Sequence, residues 1–208
     1  MNIKIKNSWN DVTFGEFVQL QQIIQSNIDE SYMMSNIVSV LTGRTLQEIE
    51  NLPLSYYKTL TSQLDFLNEK PQRNERKDTY AINGTEYVLK ADITEITTGQ
   101  YLDFTNYTKE NPIDQTRILS CFLIPKGKEY SDGYNIEKVF MDMNDLPLQD
   151  SLSIFFYLRL QSVALYQILI DYSKREMKGL KTSQIPKQKE LLKQMEILSR
   201  SMESFLTF

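Results

Sequence analysis

The chain has 208 residues, of which 41% are apolar and 24% charged, and it includes 10 phenylalanines and 12 tyrosines. This composition is typical of a globular protein with a full hydrophobic core and excludes a disordered chain. A formal net charge of −4 gives no overall attraction to nucleic acid or to an anionic membrane surface.

The residue types that are missing exclude several kinds of chemistry. The sequence contains no histidine, which removes the usual general base, the Ser-His and Cys-His nucleophile pairs and the commonest metal ligand. Its single cysteine, Cys121, lies in the apolar run 118–124 and is predicted to be a small buried hydrophobe. No glycine-rich phosphate-binding motif occurs. We therefore expect a protein that is not an enzyme and that holds no cofactor and no metal.

Two predicted helices begin with the same local signal, a capping box of the form Thr-x-x-Glu/Gln. Thr13 with Glu16 forms the first, and Thr97 with Gln100 forms the second. In a capping box the threonine hydroxyl accepts from the backbone N–H three residues on, and that residue's side chain accepts from the threonine N–H. The alternative, an anion site at these turns, is disfavoured because Glu16 would repel an anion. The predicted helices span residues 14–25 and 98–109.

Further turn and cap signals occur in both halves of the chain. Thr45 begins a third capping box, directly after Gly43, which suits the C-terminal end of the preceding helix. Asn51 and Asp145 are predicted to cap helices whose first turns contain a proline, where the missing N–H is harmless.

Three segments recur in the same order, which predicts an internal duplication. Residues 12–20 match 96–104, residues 36–41 match 117–122, and residues 49–54 match 143–148. The second copy is longer, because residues 126–135 are inserted between its second and third segments. Residues 12–67 and 96–160 are therefore expected to superpose as similar helical units.

A polar linker and a β-hairpin are predicted between the two copies. Residues 68–78 are rich in charge and amide and predict an exposed linker. Asn-Gly between two β-rich runs is typical of a hairpin, because both turn residues need a positive φ. An isolated hairpin is marginal in water, so it must pack on the helices, pair with residues 2–6 or pair with a partner chain. The last alternative is strand addition. Its predicted residues are Tyr80, Asn83, Gly84 and Tyr87.

Acidic and polar clusters in the second half have two interpretations each. Asp142, Asp145 and Asp150 could hold a divalent ion or act as an acid–base pair. The preferred interpretation is that they are caps or first-turn residues of helices, because acidic groups favour helix N-termini. The loop 126–134 carries lysines and tyrosines, a combination that can bind single-stranded nucleic acid. Its acidic residues offset that charge, so a surface turn is preferred.

The C-terminal region changes in character. Residues 152–170 are strongly apolar but include Arg159 and several amides, which argues against a membrane span and favours a buried helix. Residues 174–193 contain seven basic and two acidic residues, a local excess of +5 that leaves −9 for the rest of the chain.

A heptad-spaced apolar seam follows the basic segment. Its spacing of four, three, four and three residues is typical of a helix that packs on another helix. The seam is predicted to bind protein, either its own domain or a neighbouring subunit. It consists of Leu191, Met195, Leu198, Met202 and Phe205.

These elements predict a mainly α fold (α+β with a small hairpin), made of two copies of a three-to-four-helix unit joined by a β-hairpin, plus a C-terminal helix. Residues 1–78 are expected to form the first helical repeat with an N-terminal strand and the linker. Residues 79–173 are expected to form the hairpin and the second repeat, and residues 174–208 the basic segment and an amphipathic helix.

The assembled pattern resembles small proteins encoded among the structural and tail-assembly genes of tailed bacteriophages, especially phages of Bacteroides-like hosts. The matching segments are residues 8–17, 41–43, 52–54, the Asn-Gly hairpin, 98–101 and 125–134. The resemblance covers nearly the whole chain, and the family supplies no catalytic residues.

The resemblance implies a non-enzymatic virion or assembly protein that binds other phage structural proteins, in a ring or at the head–tail or tail region, as a homo-oligomer within an assembly. It implies a location in the host cytoplasm during assembly and then in the virion. One alternative is a tail-assembly chaperone that is absent from the mature virion. Another is a nucleic-acid-binding accessory protein that uses residues 174–193, although nucleic acid, a membrane and a small-molecule substrate are not the expected partners.

Overall fold

The computed structural model describes residues 3–26, 28–92, 94–108, 114–130 and 132–161. Within these ranges the chain is mainly α-helical with a small antiparallel sheet, which confirms the predicted fold class. The first half contains α1 (Phe14–Gln25), α2 (Glu30–Thr42), α3 (Leu46–Glu50), α4 (Leu54–Thr61) and 3-10 turns at Trp9–Asp11 and Asp65–Asn68. The second half contains β1 (Thr79–Ile82), β2 (Thr85–Leu89), α5 (Thr98–Tyr107), α6 (Gln115–Phe122), β3 (Leu123–Pro125), α7 (Ile136–Asn144) and α8, helical over 148–161.

The predicted capping boxes begin α1, α3 and α5. The Thr13 hydroxyl accepts from the Glu16 N–H, and the Glu16 carboxylate accepts from the Thr13 N–H at 2.8 Å. Thr97 and Gln100 make the same reciprocal pair. The caps are confirmed in both copies, as is the third box at Thr45.

Two other predicted caps are wrong. Asn51 lies at the C-terminal end of α3, and Asp145 lies at the C-terminal end of α7, so neither begins the helix after it. Each proline stands directly before the next helix: Pro53 precedes the first residue of α4, and Pro147, which forms an isolated bridge with Thr13, precedes α8. The Asn/Asp-x-Pro pattern therefore marks the end of one helix and the turn into the next.

Equivalent backbone hydrogen bonds in the two halves support the predicted duplication. The N–H of Lys6 donates to the carbonyl of Leu41 at 3.1 Å, and the N–H of Lys90 donates to the carbonyl of Phe122 at 2.8 Å. Lys6 and Lys90 each precede a capping threonine by seven residues, and Leu41 and Phe122 are matched positions in the repeat. Each copy thus ties an extended segment to the end of its second helix.

The sheet contains one strand that the sequence did not predict. Its order is β1-β2-β3, antiparallel throughout, with Tyr80 opposite Tyr87 and Val88 opposite Ile124. The hairpin therefore packs on the helices and pairs with β3. Of the three alternatives for the hairpin, pairing with residues 2–6 is not the one adopted, since Lys6 bonds to α2 instead.

The two copies share one hydrophobic core. The turn between α7 and α8 pairs with the start of α1: the N–H of Phe14 donates to Leu146 at 2.8 Å, and that of Leu148 donates to Val12 at 3.1 Å. The rings of Phe14 and Phe155 then meet with centroids 5.5 Å apart. Buried residues of both copies belong to a single cluster.

The linker lies along α8. Most of its residues are exposed, as predicted, but Asn74 and Lys77 both donate to the Asp150 carboxylate, at 2.6 and 2.9 Å. The guanidinium groups of Arg73 and Arg76 lie over aromatic rings of α8, 3.5 Å and 4.4 Å from the centroids of Phe156 and Tyr157. The linker is therefore a strap fixed by charge and cation–π contacts.

The predicted C-terminal seam, Leu191, Met195, Leu198, Met202 and Phe205, and the basic segment 174–193 lie outside the described residues. Their roles stay predictions. Among the described helices none is both long enough and apolar enough to cross a membrane.

Candidate functional site

The outer edge of β1 presents backbone groups that pair with no described strand. The N–H of Leu89 donates to the carbonyl of Asp78 at 2.9 Å, and hydrogen-bonded pairs alternate along an antiparallel ladder. The pairs Thr79–Val88 and Ala81–Glu86 are consequently the non-hydrogen-bonded pairs of the ladder. The backbone N–H and C=O of Thr79 and Ala81 therefore point away from β2. Within the described ranges no strand pairs with this edge. Four backbone groups there can accept an added strand.

A polar clamp holds the hairpin rigidly against α7. Asn83, at the turn with φ +48°, donates from its amide to Asp142 at 3.1 Å and to Asp145 at 2.7 Å. The buried Tyr87 hydroxyl donates to Asp142 at 2.5 Å, and Lys138 forms an ion pair with the same carboxylate. Because the hairpin is already fixed, adding a strand to its edge costs little conformational entropy on the side of this protein.

Asp142 is ionised within this clamp. Burial acts to raise the pKa of Asp142, but the hydrogen bonds from Lys138, Tyr87 and Asn83 together outweigh it and hold the pKa below its usual value. Burial, with the hydrogen bond to Asp142, raises the pKa of Tyr87. The clamp is therefore a charge-assisted hydrogen-bond network that joins the hairpin to α7.

The structure places the four predicted strand-addition residues differently from one another. Tyr80 and Tyr87 face the core and are almost fully or fully buried, so strand addition at the hairpin would use backbone groups and not these two side chains. The period-2 alternation of a strand turns them inward and turns Thr79 and Ala81 outward. Asn83 serves the clamp, and Gly84 is exposed at the turn with φ +76°.

Cys121 is buried, as predicted, and belongs to a second polar group. The Tyr130 hydroxyl donates to Asp103 at 2.6 Å and lies 3.9 Å from the Cys121 Sγ. Burial raises the pKa of the Cys121 thiol to about 12. Gln100 completes its cap and also donates to the Cys121 carbonyl at 2.9 Å, which links α5 to α6.

Because a thiolate is the reactive form, we expect Cys121 in the folded protein to resist a maleimide at about pH 8 and to react fully in denaturant. Mass spectrometry of the labelled chain measures this. Rapid labelling of the native protein would contradict the burial.

A cleft of about 140 Å³ lies beside the first turn of α5. Apolar side chains of Leu89, Ile96 and Ile124 contribute to it, and the charged groups at it are Lys90, Asp92, Glu95 and Glu129. The described residues contain no group of three or more side chains suited to hold a metal ion.

The residues that matter most at the hairpin were only partly visible in the sequence. Asp142 was noted as one of three aspartates and assigned to a helix start, yet it lies inside α7 and binds the hairpin. The signal that could have found it is its spacing from Lys138, four residues along one helix face. Asp150 does lie in the first turn of α8, as the preferred interpretation predicted, and it also pairs with Lys77 of the linker.

The fold and site together define a mainly α protein with a small three-stranded sheet, whose edge strand β1 pairs with no further strand within the described residues. No protein-family model, no curated protein and no solved structure matches this chain.

Proposed function

We propose that this chain is a non-enzymatic bacteriophage virion or assembly protein that binds another phage protein by strand addition at β1. The observation that carries the proposal is the open edge of β1, where Thr79 and Ala81 turn four backbone groups outward. The partner adds an extended segment to the β1-β2-β3 sheet. The resemblance to phage structural and tail-assembly proteins supports the identity of the partner as another phage protein.

The rigidity of the hairpin supports the choice of this edge. Asn83 and Tyr87 hold the two strands on α7 through Asp142, and β3 covers the opposite edge of β2. A partner strand therefore meets a template that is already formed. The exposed side chains of Thr79 and Ala81 are small, so they leave room for a neighbouring backbone.

We expect Ala81→Pro to abolish assembly while the subunit stays folded. Proline removes the outward N–H of residue 81, which none of the described strands uses, and its ring obstructs an added strand. The loss of one backbone bond weakens binding by about tenfold, and the steric obstruction adds to this. The measurement is the number of particles from an infection in which the variant replaces the natural chain, with circular dichroism of the purified subunit.

Ala81→Val is the matched control, because it keeps the backbone donor and favours a strand. It should assemble as the natural chain does. Equal particle yields from Ala81→Pro and Ala81→Val would exclude the β1 edge as the binding site.

Mass spectrometry of density-purified particles separates the two assembly roles. A virion protein is present in the mature particle at a fixed copy number. A chain that is needed for assembly but missing from the particle is the tail-assembly chaperone of the alternative hypothesis.

A further inference from the structure

The two copies cover equivalent faces of their first helices differently. In the first copy Phe17 is buried under Trp9, whose ring meets Phe17 and Phe66 edge-on with centroids 5.9 and 5.1 Å apart. The Trp9 indole N–H donates to the Glu69 carbonyl at 2.8 Å, which fixes the covering segment. The segment that follows α4 thus returns over α1.

The same face in the second copy is about half exposed in the part of the chain that the structure describes. Tyr101 occupies the position of Phe17, and it is 46% exposed; its neighbour Leu102 is 54% exposed. These two residues are called the α5 face below. Ile93 replaces the covering tryptophan in the sequence, and Leu160 stands where Phe66 stands in the first copy and is itself half exposed.

A difference in helix length explains the half-exposed face. After α4 the chain turns through a 3-10 segment, Asp65–Asn68, that brings Phe66 back over Trp9. Helix α8 is continuous over the equivalent stretch to residue 161, so nothing in the described part of the chain makes the same return. In the first copy the cover is the segment that follows the fourth helix of the repeat.

The sequence after α8 has the chemistry that this face requires. Residues 162–208 amount to 47 residues, a length that reaches any part of a protein of this size even at about 1.5 Å per residue. The heptad seam of residues 191–205 supplies five large apolar side chains. The basic excess of residues 174–193 complements the carboxylates of Asp92 and Glu95, which are exposed just before α5.

We propose that the seam of residues 191–205 covers the α5 face of the same chain, in the way that residues 65–69 cover α1 in the first copy. Leu198 and its neighbours pack on Tyr101 and Leu102, and the basic residues before the seam lie beside the acidic start of α5. This inference is independent of strand addition at β1. Of the two predicted partners of the seam, its own domain and a neighbouring subunit, the proposal selects its own domain.

The test is a double-mutant cycle in the full chain. Leu102→Asp and Leu198→Asp should each lower the melting temperature by about 5–10 °C, because each places a charge in an apolar contact. The double variant should fall by clearly less than the sum, since both changes disrupt one contact. Leu54→Asp is the matched control: Leu54 is 67% exposed on α4, and its replacement should change the melting temperature by no more than about 2 °C.

A cross-link distinguishes the two coverings even if a variant is unstable. Leu102→Cys combined with Leu198→Cys is treated with a short bismaleimide at low protein concentration; the buried Cys121 does not compete. We expect an internally linked monomer. Linked dimers, strictly additive temperature shifts, or a Leu102→Asp variant as stable as Leu54→Asp would each overturn the proposal. If Ala81→Pro assembled normally, strand addition at β1 would be excluded but this proposal would be unaffected, because the β1 edge and the α5 face are separate surfaces.

Discussion

Asp142→Asn is expected to lower the free energy of unfolding by about 2–4 kcal/mol at neutral pH. The carboxylate accepts from Asn83 on one oxygen and from Tyr87 and Lys138 on the other. An asparagine at this position has one acceptor oxygen in place of two, and its NH₂ group must face one of the present donors. Either the buried Tyr87 hydroxyl or the Asn83 amide then loses its acceptor. Urea unfolding followed by circular dichroism measures the loss.

The effect of Asp142→Asn should also depend on pH. The pKa of Asp142 is lowered in the folded protein, so on acidification the unfolded chain takes up the proton first. The stabilisation is fully present above the ordinary aspartate pKa of about 3.9 and is lost as the pH falls through the lower folded value. The difference between the natural chain and the variant should therefore shrink below about pH 4.

Asp145→Asn is the matched control for the clamp. Asp145 is exposed and accepts one hydrogen bond, from Asn83, so its replacement should change the free energy of unfolding by at most about 0.5 kcal/mol. If Asp145→Asn were as costly as Asp142→Asn, the stability would come from the net charge of this surface and not from the buried network.

The features that the sequence predicted well are those encoded within a few residues. A capping box places donor and acceptor three residues apart, so Thr13 and Thr97 begin helices whatever surrounds them. The Asn83-Gly84 turn and the left-handed Gly43 are equally local. The duplication was predicted because the same local signals recur in the same order.

The features that were missed depend on distant parts of the chain. Residues 123–125 form β3 only because β2 offers them an edge, and the apolar run 118–124 contains both the end of a helix and the start of that strand. Asn51 and Asp145 are residue types that favour the N-cap position, yet each lies at the C-terminal end of the preceding helix. The next helix begins only after the proline two residues further on. Cap composition alone does not distinguish the two ends.

The two predicted copies also differ in packing at Gly15 and Gly99. Both glycines occupy the second position of a helix after a capping threonine, and the sequence makes them equivalent. Helix α1 packs closely on α7, so a Cβ on Gly15 would lie 2.8 Å from the Asn144 Cβ and 3.1 Å from its backbone oxygen. The nearest atom to a Cβ on Gly99 is a ring carbon of Tyr130 at 3.5 Å, an ordinary contact.

Gly15→Ala is expected to destabilise the protein by about 1–3 kcal/mol, because the added methyl group forces α1 away from α7. Asn144 cannot easily move aside: its amide donates to the Phe140 carbonyl at 3.1 Å, and its oxygen accepts from the Thr116 hydroxyl at 3.4 Å. Gly99→Ala meets no such obstacle and should be neutral or stabilising by up to about 1 kcal/mol, since alanine restricts the unfolded chain and favours a helix. Urea unfolding of the two variants measures both changes against the natural chain. Two equal changes would show that the α1–α7 contact is looser than these distances require, whereas opposite signs would show that the two copies have diverged in packing while keeping the same caps.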